Sequence, residues 1–255
     1  MSRSLTVTAV PGFGEIECGA DLPRMISRAL QASGAAMTEK SVIVVAQKIV
    51  SKAEGRMVSL EDVELSARAI ELAAVSGKQA ALVEMVLRES SEVLRVRPEV
   101  LIVRHRLGYV LANAGIDQSN VFAADGRPAC LLLPLDPEAS ARRIRLTLAQ
   151  FFDPAPAVIV SDSFGRPWRR GVVNVALGCS GLPALVDCRG KTDRHGRPLR
   201  VTEVALADAL AAAAGLVMGE ADEGTPVVLI SGAAWSAPEC GAGSLIRPLE
   251  EDLFR

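Results

Sequence analysis

The sequence lacks an excess of charge of either sign. Its 255 residues include 28 lysines and arginines against 30 aspartates and glutamates, which leaves a formal net charge of −2 at pH 7. Proteins that bind nucleic acid through its phosphates usually carry a basic domain. We therefore predict that nucleic acid is not a partner.

Segments that insert into membranes are also missing. No apolar run approaches the roughly 18 residues of a membrane-spanning helix, and residues 1–5 lack the apolar core of a secretory signal. The cysteines lie far apart and form no Cys-x-x-Cys pair, which predicts reduced thiols. With only two histidines, His105 and His195, the sequence offers no zinc-ligand spacing. We expect a cytoplasmic protein with no membrane partner; its cysteines are Cys18, Cys130, Cys179, Cys188 and Cys240.

Two common nucleotide-binding motifs are incomplete. Gly190-Lys191-Thr192 resembles the end of a P-loop, but Leu185 stands where the loop needs its first glycine, and a turn follows instead of a helix. Gly12-Phe13-Gly14 lacks the third glycine of a dinucleotide-binding loop and a following helix start. The sequence therefore contains neither a P-loop nor a Rossmann fingerprint.

The chain has the composition of a folded protein, since 49% of its residues are hydrophobic and can offset the entropy lost on folding. Helices and strands alternate irregularly, which predicts an α+β fold with mixed sheets rather than a strict βαβ series. A turn signal near residues 124–130 marks a possible boundary between two sub-lobes. Patterning predicts strands over 5–10, 41–46, 101–103, 109–111, 131–135, 157–161 and 226–230, and helices over 21–33, 61–75, 78–95, 136–151 and 202–218.

An acidic residue follows one predicted strand directly. Asp162 comes after the apolar run 158–160, where a carboxylate can hold a cation beside a ligand, and Ser163 adds a hydroxyl. A loop broken by glycine and proline follows, and its arginines Arg166 and Arg169 suit carboxylates or phosphates. The alternative is a capped turn with a solvated basic rim.

Further polar residues follow other predicted strands. Asp117 lies in a small, polar segment that could equally be a turn. Lys48 and Lys52 follow the strand ending at Ala46, and in isolation that string resembles a solvated loop. Taken together, hard oxygen ligands and cationic side chains suggest phosphate chemistry assisted by Mg²⁺ or Mn²⁺.

These strings, in this order, resemble the coenzyme F420-0:L-glutamate ligases, also called F420:γ-glutamyl ligases. The resemblance implies one ligase domain over residues 1–255 with the α+β fold of that family, an intertwined homodimer, and no C-terminal flavin reductase-like domain. It covers nearly the whole chain through residues 12–16, 44–56, 112–121, 133–137, 158–171, 187–199, 202–220 and 245–255.

The resemblance also implies an activity. Such enzymes use GTP to join L-glutamate to the side-chain carboxylate of the deazaflavin F420-0, and continue through γ-linkages to F420-1, F420-2 or longer products. The implied route passes through an acyl phosphate and releases GDP and phosphate. The implied cofactors are Mg²⁺ or Mn²⁺ at two sites, with K⁺ as a further candidate ion, and GTP is the co-substrate.

Residue roles carry over from the matching motifs. Asp117 and Asp162 match ligands of the first metal, and Ser163 and Glu220 match ligands of the second. Arg166 and Arg169 are assigned to phosphate or acidic substrate from their charge. Gln47 stands where a serine is common, so a hydroxyl contact to nucleotide becomes an amide contact. The nucleotide-binding residues implied are Phe13, Gly14, Glu15, Ile16, Gln47, Lys48, Lys52, Asn120, Met218, Gly219, Glu220, Ala221, Asp222, Glu223, Gly224 and Thr225.

Two other functions compete with this interpretation. One is a GTP-dependent ligase that adds glutamate to a different acid, such as a pterin or an amino-acid derivative. The other is a regulatory protein that binds nucleotide without catalysis. Failure of ligation to F420-0 while another acceptor reacts would select the first, and GTP binding without turnover would select the second.

Overall fold

The computed structural model describes residues 4–118, 121 and 127–252. Within this part the chain forms twelve strands and six α-helices, in an α+β arrangement of several sheets, as the sequence predicts. In chain order these are β1 (Thr6–Ala9), α1 (Leu22–Ala32), β2 (Val42–Ala46), α2 (Gln47–Ala53), β3 (Met57–Ser59), α3 (Ala67–Ser76), α4 (Ala80–Arg88), β4 (Ser90–Arg97), β5 (Val100–His105), β6 (Val110–Ala112), β7 (Ala129–Leu131), α5 (Pro137–Leu148), β8 (Ala157–Arg166), β9 (Arg169–Ser180), β10 (Leu185–Asp187), β11 (Glu203–Ala205), α6 (Leu206–Met218) and β12 (Val227–Ser231).

The largest sheet has five strands in the order β1–β12–β2–β8–β9. Strands β2 and β8 run parallel, and the other neighbours are antiparallel. Because side chains alternate along a strand, both faces of β2 are apolar: Ile43 and Val45 pack in one buried cluster, and Val42 and Val44 pack in another. Helices α1 and α5 cover the first face, and α6 covers the second.

Close approach of helices to this sheet depends on glycine. A side chain at Gly178 on β9 would meet the backbone of Pro137, where α5 begins. A side chain at Gly215 on α6 would meet the amide of Asn174 on β9. Both helices therefore lie directly against β9, and this contact fixes the edge of the sheet.

Residues 57–131 contain two of the three smaller sheets and two helices, and the third small sheet is the antiparallel pair β10–β11. Strands β4, β5 and β6 form one antiparallel sheet, and β3 pairs with β7. Helices α3 and α4 cover the three-stranded sheet through buried residues such as Leu72, Val83 and Leu101. Asp117 is fixed beside β7, because it pairs with Leu131 through backbone hydrogen bonds of 3.0 and 2.8 Å.

Local capping signals predict several elements correctly. The Asp136 side chain accepts a hydrogen bond from the backbone N–H of Ala139, and Pro137 opens α5 as predicted. Gly219 ends α6 with φ 74°. The strands predicted over 101–103 and 109–111 form β5 and β6, with a turn at Gly108 between them.

Other predictions are wrong because pairing with a distant strand determines the secondary structure of those residues. The helices predicted over 61–75 and 78–95 are shorter, because Ser66 caps α3 and residues 90–97 pair with β5 as strand β4. The helix predicted from Thr202 begins at Leu206, since residues 203–205 pair with β10. The strand predicted over 131–135 is wrong except at Leu131, because β7 ends at that residue.

The two segments that the sequence presents as loops near the predicted site are regular structure. Residues 47–53 form α2, because the chain turns directly from β2 into a helix. Residues 164–170 belong to the β8–β9 hairpin, with Trp168 at its turn in a left-handed conformation, φ 58°. The proposed sub-lobe boundary at 124–130 lies partly outside the described residues.

Two further predictions from the sequence are free cysteines and the lack of a membrane-spanning helix. All five cysteines are free. In the part of the chain that the structure describes, no helix has the length and apolar character needed to cross a bilayer.

Candidate active site

Segments from four strands meet at one edge of the large sheet. Strands β2 and β8 are parallel with Ala46 opposite Ser161, so their carboxyl ends lie side by side. Residues 47–48 and 162–163 therefore emerge next to each other, at the position where open sheets commonly bind ligands. The antiparallel strands β1 and β12 bring the residues after β1 and those before β12 to the same edge.

A cavity of about 700 Å³ lies at this edge, within the usual range for a small-molecule site. It brings together most of the residues that the sequence assigns to metal and nucleotide. The predicted residues in its lining are Phe13, Gly14, Glu15, Gln47, Lys48, Asp117, Asp162, Ser163 and the whole run Met218, Gly219, Glu220, Ala221, Asp222, Glu223, Gly224 and Thr225.

Asp117 and Lys48 form an ion pair inside this cavity. The Lys48 Nζ lies 2.6 Å from the Asp117 Oδ2, and both side chains are partly buried. Lys48 is in the first turn of α2, whereas Asp117 comes from the other part of the fold. The ion pair therefore connects the large sheet with residues 57–131 across the cavity.

Asp162 occupies an electrostatically unfavourable position. Burial, together with the nearby carboxylates of Asp117 and Glu220, raises its pKa to about 7, against the opposing effects of the Ser163 backbone N–H and Lys48. Like charges that face one space repel each other, and a cation placed among them would relieve that repulsion.

The donor chemistry of this cluster fits a hard divalent cation. Its groups are carboxylate and hydroxyl oxygens, which Mg²⁺ and Mn²⁺ prefer. The Ser161 hydroxyl also lines the cavity, and its oxygen is buried without a hydrogen-bond partner in the described structure. Among the described residues, no three His, Cys, Asp or Glu side chains form a ready-made ligand set. Cation binding would therefore use hydroxyl or substrate oxygens as well.

Lys52 lies one helical turn after Lys48 on α2. Its side chain is only 8% exposed and pairs with the exposed Glu15 of the loop after β1. Lys52 does not itself line the cavity, but its partner Glu15 does. Gln47 is buried, and its amide oxygen accepts a hydrogen bond of 2.9 Å from the Ser51 hydroxyl.

The segment between α6 and β12 is held in shape by its own side chains. The Thr225 hydroxyl lies 2.9 Å from the carbonyl oxygens of Val217 and Met218, at the end of α6. The Glu223 carboxylate accepts a hydrogen bond of 2.9 Å from the Ala221 N–H and fills the space that a side chain at Gly219 would need. This loop is therefore a defined wall of the cavity.

Several predicted residues lie elsewhere. Ile16 is buried in the core beside the sheet. Arg166 and Arg169 lie at the β8–β9 turn and do not line the cavity, because the segment is a hairpin that extends beyond it. Asn120 lies outside the described residues.

The cavity also contains a residue that the sequence did not single out. Asn174 of β9 lies opposite Ser163 in the β8–β9 register and lines the same cavity. Only the pairing of the two strands reveals it, and β9 was not predicted as a strand.

Comparison with known proteins places this chain in a family. Residues 12–232 match the family model described as F420-0:Gamma-glutamyl ligase. The chain is 44% identical to the coenzyme F420:L-glutamate ligase of Methanothermobacter thermautotrophicus over 98% of this chain and 99% of the relative. It is 42% identical to the enzyme of the same name from Methanopyrus kandleri over 99% and 98%.

A relative from another archaeal lineage gives the same result. The coenzyme F420:L-glutamate ligase of Archaeoglobus fulgidus is 42% identical over 98% of this chain and 96% of its own length. Since the family model covers most of the chain and the relatives align over nearly all of it, this chain belongs to the F420-0:γ-glutamyl ligase family and is a ligase that forms carbon–nitrogen bonds.

Proposed function

We propose that this protein joins L-glutamate to F420-0, using GTP and two divalent cations, Mg²⁺ or Mn²⁺, and that it works as a cytoplasmic homodimer. Glutamate ligation to F420 is supported by the names of the relatives. The observation that supports the use of nucleotide and metal is one cavity that gathers Asp117, Asp162, Ser163 and Glu220 beside Lys48. Oxygen donors and a lysine in one cavity suit a metal-bound polyphosphate.

The proposed reaction has two steps. A carboxylate oxygen of F420-0 attacks the γ-phosphorus of GTP, the bond from that phosphorus to the β–γ bridging oxygen breaks, and GDP leaves. The deprotonated amine of glutamate then attacks the acyl carbon, the carbon–oxygen bond to phosphate breaks, and an amide and inorganic phosphate remain. Repetition on the new γ-carboxylate extends the product. Neither step needs a nucleophile from the protein.

The protein's contribution is positioning and charge. A bound cation supplies charge neutralisation for the phosphates. Lys48 places positive charge in the cavity, and Lys52, one turn later on α2, adds charge behind the wall that its partner Glu15 forms. The loops at 13–15 and 218–225 form the walls that hold the nucleotide, and Asn174 and Ser163 offer polar atoms from the facing strands. Alignment of the reacting atoms lowers the barrier by removing translational freedom before the reaction.

Mass spectrometry of one reaction tests this function. Purified protein is incubated with F420-0, L-glutamate, GTP and Mg²⁺ or Mn²⁺, with parallel reactions that replace GTP by ATP or omit the metal. We expect products heavier by one or more glutamyl units only with GTP and metal. Product formation with another acid acceptor but not F420-0 would identify a different ligase, and GTP binding without any product would identify a nucleotide-binding regulator.

A further inference from the structure

A second cavity of about 580 Å³ adjoins the edge strand β9. Its wall is mostly apolar and is formed by β4–β6, the β8–β9 hairpin and residues near the C-terminus. Volume and lining both match a site for a small organic ligand. No role has yet been given to this cavity.

The second cavity and the candidate active site lie against the same β8–β9 hairpin. Asp162 lies opposite Val175 in the β8–β9 register, and Asp162 lines the first cavity whereas Val175 lines the second. Phe164 follows two residues after Asp162, so both side chains point to the same face, about 7 Å apart along the strand. A ligand in the second cavity would therefore reach toward Asp162.

Aromatic side chains surround the space. Tyr109 and Phe164 meet edge to face with ring centres 6.0 Å apart, and the Tyr109 hydroxyl donates a hydrogen bond to the Leu177 carbonyl, which fixes the ring. Trp168 is 80% exposed and is held at φ 58°, a conformation that a bulky residue rarely adopts. A strained backbone that holds a large aromatic ring at the mouth of a cavity points to a role in binding.

Arginines provide positive charge at the same cavity. Arg104 is only 13% exposed, and its Nε and Nη2 atoms are buried without a hydrogen-bond acceptor in the described part of the chain. Its nearest carboxylate oxygens, on Glu92 and Asp252, lie 3.5 and 3.9 Å away. Arg95 and Arg247 line the cavity as exposed residues. These two ion pairs balance the charge of Arg104 but leave its Nε and Nη2 without an acceptor at hydrogen-bond distance, and an anionic ligand group would supply one.

We propose that this second cavity binds the acceptor of the reaction, with a flat aromatic ring system between Trp168 and Phe164 and an acidic group on Arg104. The side-chain carboxylate of the acceptor then extends along the hairpin face toward Asp162. This assignment rests on the proposed function, in which the acceptor is the deazaflavin F420-0. The cavity of the candidate active site then binds the nucleotide and the cations.

Equilibrium binding of F420-0 without GTP tests the assignment directly, through the change in F420-0 fluorescence on titration with protein. Trp168→Ala and Arg247→Gln change exposed residues, so both variants should fold, and Arg104→Gln tests the buried arginine. We expect each to weaken F420-0 binding by roughly tenfold or more, equivalent to about 1.4 kcal/mol. In turnover assays the KM for F420-0 should rise while the KM for GTP stays the same.

Matched controls separate binding from a general disturbance. Leu216→Ala removes an exposed apolar side chain from α6, and Arg97→Gln removes an exposed arginine from the same strand as Arg95; neither residue lines the cavity. Both controls should bind F420-0 like the unmodified protein. Unchanged F420-0 affinity in Trp168→Ala and Arg247→Gln would overturn the proposal. So would a change in oligomeric mass with unchanged affinity, because a second copy of the chain would then cover the cavity.

The same experiment distinguishes this proposal from the proposed function. If the unmodified protein ligates glutamate and the cavity variants behave normally, the cavity assignment fails and the function stands. If the protein binds F420-0 in a manner that depends on Trp168 but forms no product, the assignment stands and the function fails. If the unmodified protein does not bind F420-0, both fail.

Discussion

The Lys48 ammonium lies 2.6 Å from the Asp117 carboxylate, across the cavity that joins the two parts of the fold. The lysine occupies the charge position that a divalent cation would take on that carboxylate. If Asp117 binds a cation as proposed, lysine and cation compete for this carboxylate, and Lys48 would turn to the phosphates when a cation replaces it.

Replacing Lys48 should strengthen cation binding in the absence of nucleotide. We expect Lys48→Met to bind Mn²⁺ roughly tenfold more tightly, because a neighbouring unit charge acts with about 1–4 kcal/mol at 4 Å and this pair is partly exposed. Turnover with GTP should fall at the same time. Titration of free Mn²⁺ by electron paramagnetic resonance measures the affinity.

Lys78→Met is the matched control, since Lys78 lies between α3 and α4, away from this cavity. It should leave Mn²⁺ binding unchanged. Equal or weaker Mn²⁺ binding by Lys48→Met would show that the lysine does not compete for the carboxylate.

Lys52 gives a prediction about nucleotide affinity. Its buried side chain pairs with the exposed Glu15, so it is already held in place before nucleotide binds. Lys52→Met keeps the aliphatic stem and should raise the KM for GTP roughly 10- to 100-fold, the loss expected for one charge-assisted contact. Steady-state kinetics at varied GTP measure this.

Glu15→Gln separates nucleotide binding from the ion pair itself. If Lys52 contacts phosphate, releasing it from Glu15 should leave the KM for GTP unchanged within about threefold, or lower it. Equal increases in KM for Glu15→Gln and Lys52→Met would instead show that only the pair matters.

The secondary-structure elements that could be predicted from the sequence are those whose boundaries depend on residues only a few positions apart. The start of α5 at Asp136 and the end of α6 at Gly219 were predictable, because capping residues act within a few positions. The sequence predicts helix where strand β4 begins. Pairing with β5 makes this segment a strand, and that pairing is not visible in the local sequence. The β8–β9 hairpin was missed for the same reason.

The site residues could likewise be predicted only where the local sequence identifies them. Asp162 was identifiable because it directly follows an apolar strand, and the parallel pairing of β2 with β8 then brings it beside Lys48. Asn174 could not be found without the register of β9. Arg166 and Arg169 were assigned by charge alone, and the hairpin carries them away from the cavity.

Replacing Asp162 by asparagine should lower the activity and raise the stability. Asp162→Asn removes a charge that is buried beside Asp117 and Glu220, so the metal-free variant should unfold at a temperature a few degrees higher than the unmodified protein. Its turnover should fall by about 100-fold or more, because the proposed metal ligand is lost. Scanning calorimetry and steady-state kinetics measure the two effects.

Asp62→Asn is the control for that variant, because Asp62 is exposed at the surface beside Arg127. It should change neither property. A purely structural Asp162 would lose stability on substitution and keep its activity, which is the opposite pattern.

Glu89 gives the last prediction, on the pH dependence of stability. It lies at the end of α4 among three basic groups: Arg56 at 2.9 Å, Arg106 at 3.2 Å and the fully buried His105 at 3.4 Å. Burial alone would raise its pKa, but the hydrogen bond with His105 and the charges of Arg56 and Arg106 lower the pKa to about 2. An ordinary glutamate has a pKa of 4.5.

The sign of the effect follows from proton uptake. Between pH 4.5 and 2 the unfolded chain protonates Glu89 while the folded chain keeps it ionised, so the unfolded state binds more protons and stability falls as pH falls. Above pH 4.5 this contribution is fully present, and it amounts to roughly 3 kcal/mol. Urea unfolding at pH 5.5 and pH 3.5 should show part of this loss in the unmodified protein and a smaller loss in Glu89→Gln. Glu71→Gln, which alters an exposed pair on α3, should retain the full pH dependence, and an equal loss in all three proteins would show that Glu89 does not contribute to it.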